Sequence, residues 1–553
     1  MRRIDMKYSI FKIMTAAILM AGLVTSCGDS FLDVSSKTQG NTQTFYKTQS
    51  DADRALIGCY DGWRQCSSNP GIGFLVASEV MGSECFGATG NNDARNYQVI
   101  DRFDQGESSS DLNIFKKDWA RYYEGIFRCN ELINRAEQIA WASDQTKATC
   151  LGEAHALRAF MYFDLVRLFG HIPLLETSTK ENVPQATPDE VYTLIFNDLQ
   201  FAIDNIPADA YPKKDAANND GRITKYAAEA IYARAYLFYT GYVGGTLEGV
   251  TKEKALACCE DIISSHEYDL VSPYKNLWPA ASAGKAKVGD ATTLLGTYAG
   301  DGNVETVLSQ KFTNTQDYDG NNDSNRWQVM IGMRSLNSAP YGKGWGAMTV
   351  NPNFVNQYEP NDARKEASII DLAGEGVTSL DAFEASYLDW REYTGYCVKK
   401  YSPLCFADGT SASKIDGSGD FQTQNHQDWV IVRYADVLLM AAELGSSNAQ
   451  DYLDKVRKRA GLNSVAASKE NILKERKFEF AFEGINYWDL LRQGVDYAAS
   501  QIATSGVNVK SGGVDDKVVI NAQNFKAKKG LCQIPQEQIT LSDGVLVQND
   551  GWK

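Results

Sequence analysis

The sequence predicts a mainly α-helical protein, a scaffold of tetratricopeptide-like helical hairpins carrying a loop-rich ligand-binding region and a few short strands. Helical periodicity is concentrated toward the two ends: residues 112–140, 150–170, 187–206, 222–243 and 251–265 in the first half, and 432–447, 449–460 and 469–484 in the second. These segments fall into pairs with short connections, as stacked helical hairpins require. Between about 270 and 430 the periodicity fades, and Gly, Asn, Asp and Ser alternate with Tyr and Trp, the composition of irregular loops on a rigid frame.

The helix within residues 153–169 has to be covered on most faces. Leu157, Phe160, Met161, Leu165, Leu168 and Phe169 form one stripe, while Tyr162, Phe163 and Val166 fill much of the other side. Gly170 and then Pro173 stop it. No Pro-rich or Ser/Gly-rich linker divides the chain, so its regions follow character alone. They are a leader over 1–26, an N-terminal helical region over 27–270, a loop-rich ligand-binding region over 271–430 and a C-terminal helical region over 431–553.

The leader carries Arg2, Arg3, Lys7 and Lys12 ahead of an apolar run, 13–24, that is too short to span a bilayer as a helix. It ends in Leu23-Val24-Thr25-Ser26-Cys27, resembling the lipobox at which a signal peptidase cuts and the cysteine is acylated. Cys27 is therefore the expected lipid anchor, holding the chain to a membrane without spanning it. Removal of 1–26 leaves 51 Lys and Arg against 69 Asp and Glu, moving the net charge from -15 to -18. So acidic a chain repels phosphate backbones, and no nucleic-acid partner is expected.

Little in the sequence supports chemistry. The four histidines, His155, His171, His266 and His426, have no ligand spacing, and no metal or cofactor is expected. The remaining cysteines, at 59, 66, 85, 129, 150, 258, 259, 397, 405 and 532, fit neither a zinc site nor a disulfide framework. Most are expected to be small buried residues, although export permits a bridge such as Cys397–Cys405. The Gly-rich run from Tyr341 to Gly346 lacks phosphate-loop spacing, and there is no GxSxG elbow. Glu475, Glu479 and Glu483 stack on one helix face beside Arg476, with Arg457, Arg459 and Arg492 close in sequence. Glycoside hydrolysis needs two carboxyls facing each other across a sugar, so internal ion pairs explain these glutamates better and no catalytic residues are assigned. Arg433, Asp436 and Glu443 read as polar clasps in a helical core.

Several blocks, in order, resemble the SusD/RagB family of nutrient-binding outer-membrane lipoproteins. Trp119, Tyr123, Ile126 and Asn130 open the series, followed by Glu153-Ala154-x2-Leu157-Arg158-Ala159 through Phe169-Gly170 to Pro173-Leu174. Arg222-x-Thr224-Lys225, Tyr358-Glu359-x2-Asp362-x-Arg364 and Arg433-Tyr434-Ala435-Asp436 continue it. Val456-Arg457-x-Arg459-Ala460-Gly461, Glu475-Arg476, Glu483-Gly484, Asp489-Leu490-x-Arg492 and Gln548-Asn549-x-Gly551-Trp552 complete it. The chain departs from the pattern at Asn486, where Arg is frequent, and at Asp550, where Pro is common. The resemblance implies four helical hairpins and a lipid-anchored place on the outer membrane, facing the cell exterior. It also implies a lid on a partner SusC-like, TonB-dependent transporter that captures oligo- or polysaccharide and delivers it without chemistry. Peptide capture, known for a minority of the family, is the alternative, followed by a protein-interaction scaffold or a glycoside hydrolase.

Sugars present an apolar C–H face and a rim of hydroxyls, so their sites combine flat aromatic rings with Asn, Asp and Arg. Two segments have that mixture. One is the polar loop 91–97, with Arg95, Asn96 and Tyr97; the other runs from Phe312 to Trp345 and holds Tyr318, Asn325, Arg326, Trp327, Arg334, Tyr341 and Trp345. The expected ligand-binding residues are Trp327, Tyr97, Trp345, Asn96, Arg95, Arg334 and Tyr341. Gly344 and Gly346 place Trp345 in a tight turn.

Overall fold

The computed structural model describes residues 45–215, 221–315 and 323–552. The leader, Cys27 and Tyr318 lie outside them.

Eight helices make the frame: α1 Gln49–Ser68, α2 Lys116–Asn134, α3 Asp144–Phe169, α4 Pro188–Asn205, α5 Lys225–Phe238, α6 Lys252–Ser264, α7 Tyr434–Glu443 and α8 Ala449–Arg459. Each packs on the next, from α1 on α2 to α7 on α8, so that four helical pairs form one continuous stack. The helix starts are written in the sequence. Thr48, Ser143, Thr187, Thr224 and Thr251 each accept a hydrogen bond from the backbone N–H three residues on, satisfying a donor that the helix cannot. At α4 the box is reciprocal, since Glu190 accepts from the Thr187 N–H at 2.8 Å, and Pro188 holds the first helical position. Along α3 all nine residues read as buried are buried, and Gly170 closes the helix at φ 70°.

Among the described residues, the loop-rich middle holds only two-stranded sheets. Thr306–Gln310 pairs antiparallel with Trp429–Arg433, which runs directly into α7. Cys85–Gly87 pairs with Met348–Val350, Thr89–Gly90 with Trp390–Arg391, and Met333–Arg334 runs parallel to Lys343–Gly344. A hairpin, Thr504–Ser511 with Val514–Ile520, follows the C-terminal helices α9 Lys469–Glu479, α10 Asn486–Leu491 and α11 Val495–Ile502. One core extends from Tyr46 to Leu546 and draws on the N-terminal, middle and C-terminal stretches alike. A smaller one, with Met333, Leu336, Tyr341, Leu372, Trp390 and Cys397, supports the loops.

All ten described cysteines are buried and unpaired, so the Cys397–Cys405 bridge is not formed. The stacked glutamates are ion-paired. Arg433 meets Glu305 at 2.5 Å, Glu479 at 2.8 Å and Glu483 at 2.8 Å, all from within the core. Arg457 reaches Glu475 at 2.7 Å, Arg459 reaches Glu305 at 2.8 Å and also Glu479, Lys400 holds Glu483 at 2.7 Å, and Arg364 bridges Asp362, Glu475 and Glu479. Burial alone would raise the Glu479 pKa; the guanidiniums of Arg459, Arg433 and Arg364 instead hold it well below the usual carboxylate range. A second cluster joins Asp436 to Arg476 and Arg234, Asp489 to Arg476 and Arg492, and Arg492 to Glu443. Opposing burial, Arg476 and Arg234 bring the Asp436 pKa down to about 2. The first network is the junction of the molecule, because Glu305, Asp362, Arg364 and Lys400 come from the loop-rich middle and their partners from the C-terminal helices.

Glu79 is buried near this network with an opposite balance. It accepts the Gly484 N–H at 2.6 Å, its other carboxylate oxygen has no partner, and burial together with the Glu84 charge pushes its pKa from 4.5 up to about 8. The folded state therefore holds a proton that the unfolded chain has released. Its contribution to stability is complete below about pH 4.5 and is lost as the pH rises through 8. Glu79→Gln is expected to leave the melting temperature at pH 5 nearly unchanged, to raise it at pH 8 and so to flatten the decline between them. An identical decline in both proteins, followed by circular dichroism, would show that Glu79 does not govern it.

Candidate functional site

The loops converge where Arg334 meets two half-exposed carboxylates. Its Nε donates to Asp389 at 2.8 Å, and its Nη1 donates to Asp93 at 3.2 Å and to the Trp345 carbonyl at 3.3 Å. Asp93 and Asp389 keep 48% and 40% of their side chains exposed, which leaves carboxylate lone pairs for a ligand's hydroxyls. Gly90 makes the approach possible, since a Cβ there would lie 2.1 Å from Arg334 Nη2.

Trp345 forms the apolar part. Its N–H donates to the Val329 carbonyl at 2.7 Å, Gly346 follows at φ 65°, and the turn leaves the indole half-buried. The Arg326 guanidinium lies 4.8 Å from the ring centroid and so backs the indole with a cation.

The 91–97 loop is fixed from beneath by Arg391. This side chain is 5% exposed and donates to the carbonyls of Asn91 at 2.6 Å, Asp93 at 3.0 Å and Ala94 at 3.4 Å, and to the Gln98 amide at 3.3 Å. Asn96 and Tyr97 open the short helix Asn96–Arg102. Tyr97 is half-buried, and burial followed by the charges of Asp118 and Asp93 pushes its hydroxyl pKa up. The Asn96 amide oxygen is buried without a partner. Arg95 stays exposed and pairs with Glu107 at 2.8 Å.

The seven expected residues therefore separate. Arg334 and Trp345 stand together, and Arg95, Asn96 and Tyr97 lie on the loop that supplies Asp93. Trp327 does not belong with them. It is 1% exposed, in the short helix Arg326–Ile331, and its ring meets Tyr401 edge-on at 4.7 Å and Trp429 at 6.4 Å. With every residue from Trp327 to Ile331 buried, the segment read as loop is a short helix covered on all sides. Tyr341 is also turned inward, at 7% exposed, with its hydroxyl donating to Glu375 at 2.6 Å. It lines a different cavity, of about 730 Å³, together with Tyr396, Lys399 and Glu366. Asp389 and Arg391 were absent from the sequence reading, because they reach the site from some 300 residues beyond the loop that they hold and carry no local motif.

Two family models match the chain: one described as the SusD family over residues 387–552, the other as starch-binding, associating with outer membrane, over residues 30–237. The chain belongs to the SusD/RagB family. A SusD-like protein of Bacteroides ovatus is 24% identical over 512 residues, covering 88% of this chain and 83% of that one. A laminarin-binding SusD-like protein superposes with a TM-score of 0.69 at 24% identity, covering 92% of this chain and all of that one. Surface glycan-binding protein A from Bacteroides thetaiotaomicron, solved with laminarihexaose, gives 0.69 at 22% identity and 92% coverage of this chain. At these identities the SusD-like structures establish the shared fold.

Proposed function

We propose that this SusD/RagB protein captures oligo- or polysaccharide at the bacterial surface and hands it to a partner TonB-dependent transporter, anchored in the outer membrane by acylated Cys27 and performing no chemistry. The observation that carries the reading is the cluster of Trp345, Arg334, Asp93 and Asp389. A cation-backed ring stands beside two half-exposed carboxylates and a guanidinium, which suits a ligand with an apolar face and a rim of hydroxyls. That structural relatives are glycan-binding proteins supports the same class, and the three stacked glutamates that invited a hydrolase are held by arginines.

Retarded migration in native gels containing a cognate polysaccharide is the expected behaviour, with no new reducing ends when protein and glycan are incubated together. Appearance of reducing ends would overturn the non-catalytic part. Cys27→Ala is expected to abolish labelling by palmitate and to move the protein out of the outer-membrane fraction; an unchanged distribution would contradict the anchor.

A further inference from the structure

A second cavity, of about 390 Å³, opens between α9, α10 and α11 and is walled on its far side by Glu84 and Gln357. It shares no lining residue with the Trp345 cluster, and its volume falls within the range of small-molecule sites. Its lining has one buried hydrogen-bond acceptor that the protein leaves unused, and beside it a buried carboxylate held only by its own chain neighbour. Asn486 is 3% exposed; its amide nitrogen donates to the Lys477 carbonyl at 2.8 Å, while its amide oxygen has no partner. Glu84 is 1% exposed and accepts only from its own neighbourhood, the Ser83 N–H at 3.1 Å and hydroxyl at 3.3 Å, with no ion pair among the described residues. The walls supply the remainder of a sugar site. Leu473 and the edge of the buried Phe478 give apolar lining, Gln493 gives an amide, the Gln357 amide is already bonded to Lys477 and Asn353, and Tyr497 stands at the cavity with 45% of its surface exposed.

A buried unused acceptor calls for a ligand that brings a donor. The lining mixes Lys474 and Lys477 with Glu84, Glu470 and Asp489, so an ion of either sign meets like charge. Neutral hydroxyls meet no such repulsion, and the amides can both donate to them and accept from them. We propose that this cavity is a second carbohydrate site, for one neutral sugar unit, that stacks on Tyr497 and donates hydroxyl hydrogen bonds to Asn486 and Glu84. The inference extends the glycan reading but stands on different residues. The two sites are tied through the backbone, since Glu84 precedes the strand Cys85–Gly87 and the chain from Glu84 to Asn91 reaches at most about 25 Å.

The test uses purified protein and methyl glycosides of glucose, galactose, mannose and N-acetylglucosamine, followed by saturation-transfer NMR and calorimetry. In Trp345→Ala, which removes the first site, at least one glycoside is expected still to bind. That binding is expected to weaken about tenfold or more on adding Tyr497→Ala, which alters only an exposed ring. Asn486→Arg, whose longer side chain fills the cavity and meets Glu84, is expected to abolish it. No glycoside binding in Trp345→Ala, or binding that neither added change moves, overturns the second site. Failure of the first reading is a separate result: oligosaccharide affinity that Trp345→Ala leaves untouched.

Discussion

Arg433→Met is expected to destabilise the protein by about 3–5 kcal/mol, the penalty typical of removing one partner from a buried ion-paired set. Arg433 is about 1% exposed at its side chain and touches Glu305, Glu479 and Glu483 at once. Methionine keeps the volume and the hydrocarbon stem, so the loss isolates charge from packing. Three carboxylates are then left against Arg459, Arg364 and Lys400, and none of those can move without abandoning a carboxylate of its own. The effect is expected to exceed that of any exposed pair. Lys529→Ala, which breaks a contact with Asp550 between two side chains that are 61% and 71% exposed, serves as the control with no measurable change. Urea unfolding at pH 7 decides: a midpoint for Arg433→Met equal to the parent's, at equal slope, would mean that the network contributes no stability at this junction.

Trp327 and Trp345 are expected to respond in opposite ways. Trp327→Ala empties a site packed edge-on against Tyr401 and near Trp429, and the cost expected for a buried tryptophan is about 3–5 kcal/mol of stability. Its indole nitrogen is buried without a hydrogen bond, so Trp327→Phe, which keeps a ring and loses no bond, is expected to cost clearly less. Trp345→Ala removes a half-buried ring at the surface cluster and is expected to leave the urea midpoint close to the parent's, while glycan affinity falls by about 2 kcal/mol or more. If Trp327→Ala left stability intact and abolished binding, the placement of that ring in the core would be wrong.

These two tryptophans also mark how far the sequence could be read. Seven of the eight frame helices were legible because their apolar positions recur with helical spacing and a Ser or Thr stands just before several of them. The missing one, α1, has the same spacing, but Ala52, Ala55, Cys59, Gly62 and Cys66 fill much of its buried face, and such small residues give a weak apolar signal. Its start was present in Thr48 and Asp51, whose side chain accepts from the Thr48 N–H at 3.0 Å. The ion pairs of Glu475 with Arg457 and of Glu479 with Arg459 were foreseeable from arginines close in sequence, whereas Arg492 turns instead to Glu443 and Asp489. The stacked glutamates' partners Arg364 and Lys400, and Glu305, which shares Arg433 and Arg459 with them, were not foreseeable, because only the fold brings the middle of the chain to that helix. The binding cluster divides in the same way. Its aromatic and polar composition was visible in two segments, whereas the Asp389 contact and the Arg391 brace belong to a third, 387–396, whose similar mixture of Tyr, Trp, Asp and Arg gains meaning only when the fold lays it under the 91–97 loop.

Calorimetric titration of the purified protein with a panel of oligosaccharides, including laminari- and malto-oligosaccharides, tests the central claim most directly. At least one glycan is expected to bind with a defined stoichiometry, and Trp345→Ala and Arg334→Ala are each expected to weaken it about tenfold or more while unfolding at the parent's urea midpoint. Absence of binding across host and plant glycans, or an affinity that neither substitution alters, would contradict a carbohydrate role for this face.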